Sequence, residues 1–345
     1  MNIVVLAGGL SPEREVSLTS GSLIANALMS RGHAVCLLDV YLGTELEGDP
    51  LSHFRTEGEY HHSVSTTVPD LATLVAESGN GDALVGKNVL TLCQAADVVY
   101  VALHGGMGED GRLQALLDCH GIRYTGTGSL GAALAMDKEI SKVLMRAAGV
   151  ATPDWIVVRP AAEPDAAARI LDQIGLPCVV KPCSCGSSVG ISMVENEKEL
   201  AAALTEGALW EDRLIVEKKI LGRELTVGVL GERVLPPIEI IPKEGFYDYK
   251  NKYQGGLTLE LCPAPLRDDQ TEAVQKVTLR AFRALHLDSL ARLDYIMDED
   301  DVMWCLEANA LPGMTPTSLL PQMAAAIGLD YPALCEEIIR LSLEK

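Results

Sequence analysis

The chain has 345 residues, 48% of them hydrophobic and 22% charged, the balance of a soluble globular protein with room for two or three domains. Its net charge of −20, with no basic stripe to offset it, argues against nucleic acid as a partner. The same charge repels nucleotides, so any phosphate site must be built locally from lysines, backbone N–H groups and metal. Nine cysteines without a CxxC pair fit reduced thiols better than a disulfide framework. The start has no basic leader, and no apolar run reaches the ~18 residues of a membrane span. The expectation is a cytoplasmic protein that does not enter the membrane.

The first part alternates strand and helix. An apolar strand is expected at 2–7, a helix at 16–31 with Val16, Ile24 and Leu28 on one face and Gly32 as its stop, and a strand at 33–40. A further strand at 97–103 runs into a glycine loop and a helix at 112–120. This alternation predicts a parallel sheet covered by helices. The stretch 43–87 is weakly patterned and reads as an insertion with one helix near 70–77, in which His61 and His62 belong to a solvated loop. A second, α+β unit follows, with helices at 138–148, 165–174 and 197–206 and strands at 155–158, 178–181, 190–194 and 214–217. The third, also α+β, has a hairpin at 224–230 and 233–235, a strand at 237–241, a polar loop at 242–256 and a helix at 269–285. An acidic hairpin and two terminal helices complete it. The domains are therefore set at 1–126, 127–219 and 220–345.

The acidic hairpin carries the sharpest chemical signal. Residues 290–297 and 302–306 read as strands around the turn Asp298-Glu-Asp-Asp. A four-residue turn puts Asp294 opposite Cys305 and diagonal to Glu307, with Asp294, Glu307 and Asn309 on one face. Three hard oxygen donors on a sheet suit Mg²⁺, the remaining positions being left to water and phosphate. A solvated acidic hairpin is the plain alternative. It is weakened by the apolar segment around Glu307 and Asn309.

Other stretches are weaker singly. Lys181 ends a strand and opens a Gly/Ser loop that reaches Gly190, either an ordinary hairpin or a flap over phosphates. Lys138 opens a helix after a glycine turn, where Asp137 also suits a cap. Glu217, Lys218 and Glu224 lie at the junction of the second and third units, where a base can slide between two sheets. Glu13 and Glu15 open the first helix, so that N-terminus suits an ammonium group better than an anion. His104 follows a strand, at the carboxyl edge where open α/β sheets bind ligands.

Together these stretches resemble the D-alanine–D-alanine ligases, a family of the ATP-grasp superfamily. The resemblance runs in order through the start Gly-Gly-x-Ser-x-Glu-x-Glu-Val-Ser, Leu-His-Gly with Gly-Glu-Asp-Gly, Met-Asp-Lys, and Val-Lys-Pro with Gly-Ser-Ser-Val-Gly. It continues through Phe246-Tyr-Asp-Tyr with Lys252-Tyr253, Arg-Leu-Asp, and Glu-Ala-Asn with Pro-Gly-Met-Thr and Ser318-Leu319. Only the region around 43–87 falls outside. The resemblance implies an ATP-grasp fold in which two α+β domains sandwich ATP behind an N-terminal parallel-sheet domain. It implies ligation of two D-alanines through a D-alanyl phosphate for peptidoglycan synthesis, with ATP as co-substrate and two Mg²⁺ or Mn²⁺ per subunit. It also brings a homodimer as a family expectation that no residue pattern here displays.

By the same resemblance, Lys138, Lys181, Ser188, Glu217, Lys218 and Glu224 bind ATP, while Lys252 serves phosphate and substrate. Asp294, Glu307 and Asn309 hold metal. Glu15, aided by His104, anchors the first ammonium, with Ser187 and Tyr253 bonded to it. Arg292 and the Gly313 N–H form the oxyanion site, and Ser318 and Leu319 take the second carboxylate. The loop 242–256 is a lid that keeps water from the acyl phosphate. One departure stands out: the family's Ser-Arg-Glu-Gly-Ser-Ser flap is here Cys183-Ser-Cys-Gly-Ser-Ser. Inert packing is the preferred reading of these thiols, over altered closure or a reactive site, and zinc lacks further ligands.

Another ATP-grasp ligase, such as the D-alanine–D-lactate type, is the near alternative. A dinucleotide oxidoreductase is disfavoured by the missing G-x-G-x-x-G, and a silent nucleotide module by the filled chemical positions. Relatives that accept D-lactate carry Phe where this chain has Tyr253. Tyr253→Phe is expected to raise D-lactate use relative to D-alanine, and an unchanged product ratio refutes that role.

Overall fold

The computed structural model describes residues 1–62, 69–81, 83–186, 189–243 and 258–344. The N-terminal sheet has strands β1 (Asn2–Ala7), β2 (Ala34–Asp39) and β3 (Val98–Val101) in parallel order β2-β1-β3. Ile3 to Ala7 are wholly buried, as a central parallel strand covered on both faces requires. The helix Arg14–Ser30 packs on the sheet through Ile24, Ala25 and Leu28. It needs Gly21 to do so, because a Cβ there would stand 2.6 Å from the Cβ of Ala7.

The central sheet is antiparallel, with β4 (Trp155–Val158), β5 (Cys178–Pro182), β6 (Ser192–Val194) and β7 (Leu214–Lys218) in the order β4-β7-β5-β6. Period-2 alternation sorts its two faces. Cys178, Val180, Leu214 and Val216 turn to a core closed by the helices Ala166–Gln173 and Glu197–Gly207. Val179, Lys181 and Glu217 face the other way, into a cleft.

Across the cleft stands a second antiparallel sheet of β8 (Arg223–Leu230), β9 (Arg233–Val234), β10 (Ile238–Pro242), β11 (Thr258–Leu261), β12 (Leu290–Met297) and β13 (Met303–Asn309). Its order is β11-β10-β8-β12-β13, with β9 on β8. Leu225, Val227, Leu293, Tyr295 and Cys305 pack against the helix Asp268–Ala284. Ala135, Met145 and Val150 join that core, so the helices Ser129–Met136 and Lys138–Ala147 lean on this sheet.

Most expected elements appear within a residue or two of their anticipated ends. The helices Val89–Ala95 and Ser129–Met136 were not anticipated. The second, Ser-Leu-Gly-Ala-Ala-Leu-Ala-Met, has no charged residue to mark a wet face and starts at Gly128 without a side-chain cap. Strand β11 has four residues directly after the polar stretch, too few to show a period. In the 43–87 region the helix Leu71–Ser78 is capped by Asp70, whose Oδ1 accepts from the Thr73 N–H at 3.0 Å.

Candidate active site

The cleft between the two sheets has apolar walls: Val179, Ile191 and Met193 on one side, Ile296 and Leu306 on the other. Its closed end is charged. Lys181 is buried, and its Nζ donates to Glu217 Oε2 at 2.9 Å. Burial pushes the Glu217 carboxyl up, but Lys181 and Lys142 outweigh it and hold the group below its usual value. Burial likewise pulls Lys181 down, and Glu217 with Glu307 more than compensates, so Lys181 stays charged. Glu217 Oε1 lies 3.3 Å from Lys142 Nζ and has no well-directed hydrogen bond among the described residues. It can still accept a donor. Glu224 lines the same cleft, and Lys218 stands exposed at its mouth.

Strands β12 and β13 supply the carboxylates, with a register that differs from the expected one. Met297 pairs with Met303, so the turn is longer than four residues. The register then shifts again between Asp294 and Tyr295, leaving Leu306 as a bulge. Asp294 therefore pairs with Glu307, not Cys305, and Arg292 pairs with Asn309. On the other side of β12, Asp294 pairs with Thr226, whose hydroxyl donates to Asp294 Oδ1 at 2.6 Å.

Two carboxylates directly opposite repel each other, and cations answer them. The Arg292 guanidinium forks onto Asp294 at 3.0 and 2.9 Å. Lys138 Nζ stands 3.7 Å from Glu307 Oε2 while donating to the Cys185 carbonyl at 2.7 Å. No group of three or more His, Cys, Asp or Glu side chains able to hold a metal exists among the described residues. The donors here are two carboxylates and one amide, and Asn309 Oδ1 also accepts from the Leu311 N–H at 3.0 Å. Hard oxygens in a pair that demands positive charge fit Mg²⁺ or Mn²⁺.

Ser187, Ser188, Lys252 and Tyr253 lie outside the described residues, as does most of the 242–256 loop. The flap before them is tied down. Ser184 donates its N–H and hydroxyl to Glu211 Oε2 at 2.7 and 2.9 Å, and Lys138 N–H donates to the Cys183 carbonyl at 2.9 Å. Cys183 is wholly buried and its thiol is pushed up to about 12 by that burial; burial also raises Cys185. Both are protonated at neutral pH, which favours packing over reactivity.

Glu15 and His104 do not pair with each other. His104 Nε2 is 3.3 Å from the Ser20 hydroxyl and Nδ1 is 4.0 Å from Glu109 Oε1, and burial lowers its pKa, which keeps it neutral. Glu15 Oε2 instead meets His62 Nε2 at 2.9 Å. His62 comes from the insertion and is not the solvated residue expected there. Asn26 exchanges hydrogen bonds with the Tyr60 backbone at 2.8 and 2.9 Å and so straps that segment to the first helix. Glu109, with Gly105 N–H at 3.0 Å, is pushed up to about 8 by burial and by Glu13. A Cβ at Gly186 would lie 3.7 Å from Glu109 Oε2, so this acidic corner faces the flap.

Ser318 precedes the helix Leu319–Ala325 without capping it, since its Oγ accepts from the Thr315 N–H at 3.1 Å instead. A Cβ on Gly313 would stand 3.1 Å from that Oγ. The Leu319 side chain is buried in the core, which leaves only its backbone N–H for a ligand.

The family profile "D-ala D-ala ligase N-terminus" matches residues 2–127, and "D-ala D-ala ligase C-terminus" matches 144–340. This chain belongs to the D-alanine–D-alanine ligase family. It is 42% identical over 348 residues to the D-alanine–D-alanine ligase of Pediococcus pentosaceus, covering 98% of this chain and 97% of that one. The enzyme of the same name from Nitratidesulfovibrio vulgaris is 41% identical over 346 residues, 99% and 98% of the two chains. Among solved structures, the Bacillus anthracis ligase complexed with ATP superimposes with a TM-score of 0.76 at 30% identity, over 100% of this chain and 97% of that one. The VanG D-Ala:D-Ser ligase of Enterococcus faecalis gives 0.76 at 26% identity, over 99% of both. The fold is that of the ATP-grasp ligases, as the resemblance implied.

His62, Glu109 and Lys142 stand beside Glu15, the flap and Glu217, and the sequence pattern does not single them out. His62 carried no signal inside a weakly patterned insertion. Glu109 sat in the Gly-Glu-Asp-Gly motif, without its own role. Lys142 lies four residues after Lys138, on the stripe Lys138, Ser141, Lys142 and Met145 that the helix buries.

Two outcomes follow. His62→Ala is expected to raise the KM for the first D-alanine by about tenfold, the worth of one charge-assisted hydrogen bond, with the KM for ATP unmoved. Equal changes in both would refute its place at Glu15. For Glu109, the folded value near 8 exceeds the ordinary 4.5, so unfolding releases a proton between those pH values. Stability of the ligand-free protein must then fall as pH rises through that window. In urea titrations Glu109→Gln should remove this slope, and a retained slope would contradict it.

Proposed function

We propose that this chain uses ATP to join two D-alanines into D-alanyl-D-alanine for peptidoglycan precursors. A carboxylate is a poor electrophile. The first D-alanine carboxylate therefore attacks the γ-phosphorus, ADP leaves, and a D-alanyl phosphate forms. The amine of the second D-alanine attacks its carbonyl carbon, and phosphate departs from the tetrahedral intermediate as the amide forms. Negative charge develops at both steps, so the work is positioning and electrostatic stabilisation.

The observation that supports this reading is the pairing of an apolar cleft with a charged end, where Lys181 and Lys138 stand beside the opposed Asp294 and Glu307. The base would lie between Val179 and Leu306, with Glu217 accepting its amino group and Glu224 the ribose hydroxyls. Lys138, Lys181, Ser188, Lys218 and Lys252 would hold the triphosphate. Asp294, Glu307 and Asn309 would hold divalent cations, two per subunit, which when bound neutralise the phosphate oxygens. Arg292, freed from Asp294 by that charge, would turn with the Gly313 N–H to the developing oxyanion. Glu15, with Ser187, Tyr253 and His104, would seat the first amino acid, and Ser318 and Leu319 the second carboxylate. The 242–256 loop would exclude water. Three domains at 1–126, 127–219 and 220–345 fit these roles. Among the described residues no helix is long and apolar enough to cross a membrane. We place the enzyme in the cytoplasm, where ATP is supplied, as a homodimer.

The test is phosphate release from ATP and Mg²⁺ with D-alanine, L-alanine, D-serine or D-lactate. D-alanine alone should support release with stoichiometric dipeptide, and Glu307→Gln should slow it by about a hundredfold or more, as loss of a key charge-stabilising group does. Release that ignores D-alanine would end the proposal.

A further inference from the structure

The mechanism above leaves the buried Lys142 unused. Lys142 has a side chain with 0% exposure. Its Nζ lies 2.5 Å from Thr152 Oγ1, 3.3 Å from the Pro153 carbonyl and 3.3 Å from Glu217 Oε1, and the Trp155 ring centroid is 5.3 Å away. Thr152 Oγ1 and the Pro153 carbonyl take two of the three ammonium protons, and Glu217 Oε1 stands within ion-pair distance. The group is locked. It reaches Glu217 from behind the cleft wall, whereas Lys181 takes the other oxygen at 2.9 Å. Burial pulls Lys142 down to about 8, opposed by Glu217, so it remains mostly charged at neutral pH.

The two lysines have different prospects. Lys181 belongs to the phosphate end of the cleft and would be shared with the nucleotide. Lys142 has no route to a ligand. Once Lys181 turns to phosphate, Lys142 is the cation left to keep Glu217 ionised against the cost of burial. An ionised carboxylate only accepts hydrogen bonds, so it welcomes an exocyclic amino group and repels a carbonyl at the same position. A protonated carboxyl could donate to that carbonyl.

We propose that Lys142 is a positioning residue for the nucleotide: by fixing the Glu217 carboxylate and its charge, it sets the preference for a 6-amino purine over a 6-oxo purine. The proposal rests on the reading of Glu217 as the residue that meets the base. Lys142 itself touches no substrate.

The experiment compares kcat/KM for ATP and ITP in D-alanine-dependent phosphate release, for the native enzyme and for Lys142→Met, Thr152→Val and Glu217→Gln. Lys142→Met should cut the ATP-over-ITP preference by about tenfold, in the range of one misplaced polar contact. The change should fall on the KM for nucleotide and leave the KM for D-alanine in place. Thr152→Val, which keeps the charge but frees the ammonium, should move the ratio the same way by about threefold. A role confined to stability would lower the unfolding midpoint and leave the ratio intact, which overturns the proposal. If Lys142→Met does not fold, an unchanged ratio in Thr152→Val overturns it equally. A ratio that shifts in Glu217→Gln but in neither Lys142→Met nor Thr152→Val removes Lys142 alone. A ratio that shifts in none of them removes the base reading of Glu217 as well.

Discussion

Asp294 and Glu307 face each other across two antiparallel strands, and the bulge at Leu306 puts them there. At the ~5 Å typical of direct strand partners, two carboxylates in a half-buried setting repel by a few kcal/mol. Nothing about the sheet requires that cost. The opposite faces of the same strands fill an ordinary apolar core with Leu293, Tyr295 and Cys305. The pair persists because positive charge is brought to it from three directions. Arg292 comes from the same strand, Lys138 from the start of a helix, and the field of Lys181 from the facing sheet.

That requirement organises the rest of the site. Lys138 bonds to the Cys185 carbonyl as well as facing Glu307, so the flap and the carboxylate pair share one ammonium. Lys181 is divided between Glu217, on the wall of the cleft, and Glu307. A nucleotide carrying divalent cations would take over the duty of these residues, releasing Arg292 and the lysines to the substrates. Arg292, Lys138 and Lys181 are all held on the protein's own carboxylates. A chain with a net charge of −20 concentrates these three cations at one end of one cleft.

Much of this was legible in the order of residues. Apolar runs and the glycine after Arg31 gave the parallel sheet and its first helix, because those signals are local. Ordered motifs carried the family, and Asp294, Glu307 and Asn309 fall on one face, as period 2 and a four-residue turn imply, although the turn is longer and the bulge restores the shared face. The strand register was not legible. Turn length and a bulge are decided by packing across strands, and Val302 read as strand while lying in the turn. His62 meets Glu15 two residues on from Tyr60, whose backbone Asn26 holds, a contact between segments far apart in sequence. The clamp on Glu217 needs a helix, a strand and Thr152 together, so no single stretch reveals it.

A crystal structure with ADP and Mg²⁺ bears most directly on the central claim. The account predicts the phosphates between Lys181 and the Asp294–Glu307 pair, electron density for metal on those carboxylates and Asn309, and Arg292 released from Asp294. Arg292 still forked onto Asp294, with the nucleotide bound away from both sheets, would contradict it.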